Sequence, residues 1–94
     1  MIRHIVMFNA KNPDDREAIY NGLKILEEIE GDWTLTVSRN MKIDQIANDM
    51  DFVVYGEFHD EAALKAYKSH PNYQRSVDIV RPLRDQRIAV DLTF

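Results

Sequence analysis

The sequence predicts an α+β fold, with one four-stranded antiparallel sheet carrying helices on a single face. Three observations lead there. Four short stretches are apolar, β-branched and aromatic in the manner of strands. Helical spacing separates them. The order along the chain is strand, helix, strand, strand, helix pair, strand.

Residues 2–8, IRHIVMF, read as the first strand. Ile5 and Met7 take one face; Ile2, His4, Val6 and Phe8 take the other. Both faces are largely apolar, which suits a central strand covered on both sides. NAKNPDD then breaks the pattern. Asn12 can cap a helix, Pro13 suits its first turn, and Asp14 and Asp15 favour its positive end. The capping and spacing predict a helix over 13–30. Ile19, Leu23, Leu26 and Ile29 form its apolar stripe, with Ala18 and Gly22 nearly in line. Gly31 stops it. Glu27, Glu28, Glu30 and Asp32 read as a solvated helix end.

WTLTVSRN, 33–40, alternates strictly, with Trp33, Leu35 and Val37 on one face. Trp33 packs in the core or in a dimer contact. Residues 41–50 carry no period and read as a loop. DFVVYGEF, 51–58, is the third strand, and Gly56 within it marks a bulge or a close approach. Asp60 caps a helix over 61–68, with Ala63, Leu64 and Tyr67 on one side. His59 is solvated loop surface. His70 precedes proline, which pushes it out of the helical region, so it ends one helix and caps the next. The second helix runs near 71–82 with Tyr73, Val77 and Val80 aligned, and Pro82 ends it. QRIAVDLTF is the fourth strand, with Ile88, Val90 and Leu92 on one face. This order is the split βαβ of a ferredoxin-like plait, a single domain over 1–94. Helices cover one sheet face. The other would hold Ile5, Met7, Val53 and Tyr55, and in a monomer it would lie in water. A homodimer closing two sheets face to face follows as the expectation.

Composition narrows the function. The 94 residues carry a net charge of −4 with no basic run, which argues against nucleic acid. There is no cysteine, hence no disulfide, thiol nucleophile or thiolate metal site. The apolar start is short and interrupted by Arg3 and His4, unlike a signal peptide or membrane span. A cytoplasmic protein with no membrane association is expected. No Gly-rich phosphate loop, nucleophile elbow or zinc spacing occurs, so neither cofactor nor metal is expected.

HIVMF at the start, SRN in the second strand, DFVVYGEFHDEAALKAYKSHPNY and the closing VRPLRDQRIAVDLTF resemble the stress-responsive A/B barrel, or Dabb, family. The resemblance covers essentially the whole chain. Its most specific parts are Glu57 to Pro71 and the Arg-Pro-Leu before the last strand. It implies a dimeric α+β barrel of ferredoxin-like subunits. In the family, one plant relative is a cyclase that closes a linear polyketide by aldol condensation. Its pocket lies between sheet and helices, and a tyrosine and a histidine do the acid/base work. His4 matches a pocket histidine of that relative and Tyr67 matches its catalytic tyrosine. Tyr73 stands in place of its catalytic histidine, Phe52 in place of a second pocket histidine, and Gly22 in place of an aromatic residue. Tyrosine is protonated near neutral pH and makes a poor general base.

Each candidate also has an ordinary reading. His4 is a buried, locally satisfied histidine or a pocket donor or base. Tyr67 is packing with a hydrogen-bonded tip, or a pocket acid or oxyanion donor. Tyr73 is packing or a donor to a bound carbonyl. The leading expectation is a largely apolar pocket with His4 and Tyr67 as its polar groups and Val6, Phe8, Phe52, Val54 and Tyr73 around a small aromatic or polyketide-like ligand. The alternatives are a cyclase- or lyase-like acid/base enzyme using His4 and Tyr67, and a stress-related structural oligomer without catalysis.

Overall fold

A computed structural model describes residues 1–94. Strand β1 (Ile2–Ala10) leads through a 3-10 turn (Pro13–Asp15) into α1 (Arg16–Lys24) and a second 3-10 turn (Ile25–Glu28). Strands β2 (Trp33–Arg39) and β3 (Phe52–Phe58) follow, then α2 (Glu61–Ser69), α3 (Pro71–Val80) and β4 (Arg84–Thr93). All pairings are antiparallel, in the order β2-β3-β1-β4. This is the ferredoxin-like arrangement expected. No helix is long and apolar enough to cross a membrane.

Register sorts the side chains. His4 lies opposite Gly56 and Asp91, Val6 opposite Val54 and Ala89, and Phe8 opposite Phe52 and Arg87. These face the helices. Ile5 lies between Tyr55 and Val90, and Met7 between Val53 and Ile88, on the other side. Phe58, Ile19, Leu23 and Val54 are at most 1% exposed on the helix side. Each large side chain buried there contributes about 1.5–3 kcal/mol relative to exposure. Gly56 has no bulge around it. A Cβ there would sit 2.6 Å from the Phe58 ring, so the glycine makes room for that ring.

The helix expected over 13–30 is shorter. Regular α-helix ends at Lys24, and residues 25–28 tighten to three per turn. Leu23, Leu26 and Ile29 explain the change, since three-residue spacing eclipses them and all three are buried. Glu27 is not merely solvated. Its carboxylate accepts the Val37 N–H at 2.8 Å and pairs with Lys24 at 2.8 Å. It satisfies a donor on an edge strand that has no neighbour there. The loop after β2 is irregular, as expected, and is anchored at Asp51. That buried carboxylate accepts the Ala10 N–H at 3.0 Å and pairs with Lys42 at 2.6 Å and Arg16 at 3.1 Å. Burial works against its charge, but these partners outweigh burial and hold the carboxyl below the usual carboxylate range.

The caps fall where the sequence places them. Asn12 accepts the Asp14 N–H, Asp60 the Ala63 N–H, and His70 Nδ1 the Asn72 N–H at 3.0 Å. His70 is therefore occupied as a helix cap between α2 and α3. Gly22 lets α1 lie close against α3, where a Cβ would sit 2.8 Å from Ile79.

Candidate functional site

A cavity of about 290 Å³ lies between the sheet and α3. It is roughly twice the size of an engineered apolar cavity of about 150 Å³ that takes benzene. A substituted ring or a short acyl chain is the scale of ligand it suits. Val6 and Phe8 of β1 and Val54 of β3 form its floor, and Leu23, Leu26 and Val80 line its helical side.

His4 enters from the middle of the central strand and is 1% exposed. Its Nδ1 lies 2.6 Å from the Asp91 carboxylate on β4. A carboxylate only accepts, so Nδ1 carries the hydrogen. This leaves the unprotonated Nε2 of the neutral ring without a partner in the chain. Burial pushes the imidazole below its usual 6.5; the Asp91 bond and charge oppose this, while Lys68 and Arg87 add to the lowering. The neutral ring is therefore the form present at pH 7.

Tyr67 enters from α2, also 1% exposed. Its ring is 6.4 Å from His4 and 5.3 Å from both Phe58 and Tyr73, with Trp33 on another side at 6.1 Å. These tilted and edge-to-face contacts hold the ring in place. Trp33 thus belongs to the core. The Tyr67 hydroxyl makes no hydrogen bond within the chain, and burial pushes its pKa well up. It is a neutral donor. A basic nitrogen and a neutral hydroxyl therefore border one small cavity. Together they can take a proton from one atom and hydrogen-bond charge developing on another.

The family model of the stress-responsive A/B barrel domain matches residues 2–94. The chain belongs to the Dabb family. A Dabb family protein with a ferredoxin-like fold from Mesorhizobium loti is 28% identical, with a TM-score of 0.78 over 98% of this chain and 94% of that one. Dimeric ferredoxin-like proteins of unknown function from Jannaschia sp. and Thermobifida fusca are each 24% identical, with TM-scores of 0.83 and 0.81. The matches cover 99% of this chain, and 98% and 90% of those two. No curated protein matches the chain by sequence.

Within this Dabb domain, His4, Val6, Phe8, Val54, Tyr67 and Tyr73 all line the cavity. Phe52 does not. It is buried beside the Tyr20 ring at 5.6 Å, one pair of residues further along the sheet than Val54 and under α1. Phe52, which the resemblance puts in place of a pocket histidine, is covered here by α1 and Tyr20. His59 is exposed, 3.4 Å from Asp32, and no group of three metal-binding side chains assembles. Sequence reasoning missed Asp91, Ser76 and the arginines 81, 84 and 87, which also border the site. Asp91 was accessible in principle, since strand alternation puts it on the face opposite Val90.

The lowered pKa of His4 has a definite sign. The folded state binds fewer protons than the unfolded chain just below pH 6.5. The stability held above that pH is therefore lost as pH falls through the folded pKa. Urea unfolding of the wild type and His4→Gln should show the wild type losing this component below about pH 6.5. An NMR titration midpoint for His4 above 6.5 would contradict the assignment.

Proposed function

We propose that this Dabb protein is a homodimer whose subunits each bind a small aromatic or polyketide-like molecule in the cavity between sheet and helices. The observation that carries the reading is the pairing of Nε2 of His4 and the Tyr67 hydroxyl, both without partners in the chain, in one cavity. A buried polar group left unpaired costs about 1–3 kcal/mol, which a ligand can recover. Thermal-shift measurement against aromatic acids and thioesters tests it. Ligand at 100 times its Kd stabilises by about 2.7 kcal/mol, a rise of several degrees in Tm for a domain of this size. Tyr67→Phe should shrink that rise. A flat response across the panel would sink the pocket and favour an assembly role.

The dimer reading rests on the sheet face away from the helices. Ile88, Val90 and Leu92 are 42–46% exposed there, beside Ile5, Met7, Val53 and Tyr55. Met41, Ile43 and Ile46, in the loop between β2 and β3, are also exposed. Such a face favours a partner, and solved ferredoxin-like relatives are described as dimeric. Sedimentation at micromolar concentration should give a dimer, and Val90→Asp a folded monomer. A monomeric wild type would end this reading.

A second reading, an acid/base enzyme, is favoured by the short His4–Asp91 bond. Nε2 would take a proton from a carbon next to a carbonyl. The resulting enolate oxygen would accept a hydrogen bond from Tyr67, and Asp91 would stabilise the imidazolium. Exchange of the α-hydrogens of a β-ketoacyl thioester in D2O, followed by NMR, should fall about 100-fold or more in His4→Ala. Unchanged exchange would remove the idea.

A further inference from the structure

One stretch of β4 departs from strand alternation, and it carries charge. Phe8 pairs with Arg87, but Ala10 pairs with Arg84. Asn9 of β1 is thus matched by two residues of β4, which is a β-bulge at Asp85 and Gln86. The side chain of Asn9 fills it. Its Oδ1 accepts the Gln86 N–H at 2.7 Å, and its Nδ2 donates to Gln86 Oε1 at 3.1 Å. In a regular strand Arg84 and Arg87, three apart, would point to opposite faces. The bulge turns both toward the helices, and both line the cavity.

Arg81, at the end of α3, lines it too. The helix terminus accounts for a cation at Arg81, but not for the other two. None of the three arginines forms an ion pair, although the chain carries more acidic than basic residues. Asp91, which faces the helices from β4, is engaged by His4. Arg87 instead sits over the Phe8 ring, 6.0 Å from its centroid. Three guanidinium groups without an ion-pair partner at one cavity suit an anion, which guanidinium binds through charge-assisted hydrogen bonds.

We propose that the ligand of this cavity is an anion, with an apolar body held among Val6, Phe8, Val54, Leu26 and Val80 and its charged head at Arg81, Arg84 and Arg87. The arginines are more exposed than His4 and Tyr67, so the head lies at the mouth and the body points inward. Asn9 is a positioning residue: it holds the bulge that aims Arg84. The inference rests on the pocket reading above and narrows its small aromatic or polyketide-like ligand to an acid.

Calorimetric titration with octanoate, octyl phosphate and octanamide separates the possibilities. Either anion should bind at least ten-fold more tightly than the amide, and the preference should weaken as salt rises. The tighter of the two anions identifies the head group. Arg84→Gln and Arg87→Gln should each weaken anion binding about ten-fold and leave the amide unchanged. Asn9→Ala should do the same to a smaller degree, with the amide again unaffected, which a general loss of structure would not reproduce. Equal binding of amide and anions would overturn the anion inference while leaving the pocket standing. Binding of none of the three would overturn both.

Discussion

Register along β1 is the constraint on which the rest of this structure depends. The strand is paired on both sides, so its alternation decides the contents of two different surfaces at once. His4, Val6 and Phe8 go to the helices. Ile5 and Met7 go to the open face. A slip of one residue would put an imidazole and a phenyl ring on the open face and leave the cavity lined by the wrong residues. Pairings on both flanks oppose such a slip, as does Gly56, whose missing side chain fits only beside His4 and the Phe58 ring.

Much of this was legible in the chain because it follows from period. Alternation placed His4 with Val6 and Phe8. Helical spacing placed Tyr67 inward, and the His70-Pro71 pair announced the junction that holds α2 against α3. Other features depend on departures from period. Arg84 and Arg87 read as residues on opposite faces until the Asn9 side chain is seen to stabilise an extra residue between them. The tightened turn at 25–28 likewise replaces one spacing by another. Phe52 was misplaced for a different reason. It shares the inward face with Val54, but which inward residues meet a cavity depends on where a helix lies above them, and α1 with Tyr20 covers that end.

The site also shows where stability has been given up. The aromatic cluster of Trp33, Phe58, Tyr67 and Tyr73 is tightly packed, yet it surrounds a hydroxyl with no partner. His4 is buried although burial disfavours its charged form, and its one hydrogen bond goes to a carboxylate that is itself half exposed. Replacing either side chain by an apolar one of similar shape would relieve an unpaired polar group. Such groups are uncommon in ordinary cores, where buried polar atoms find partners. Both side chains border one cavity, whereas the carboxylates of Asp51 and Glu27 are held by cations and backbone N–H groups and the three caps by helix N–H groups.

The electrostatics give the cavity a direction. At its inner end two neutral groups, an imidazole and a phenol, face apolar walls. At its outer end three cations face solvent. Burial is the larger effect on both; the Arg87 charge adds to the lowering at His4 and works against the rise at Tyr67. An anion bound at the arginines would weaken that influence and make the imidazole a stronger base. Ligand charge at the mouth would therefore act on basicity at the inner end in the same direction as Asp91 does. A charged head group would then do two things in this Dabb domain: anchor an apolar body in the cavity, and strengthen the one group there able to accept a proton from it.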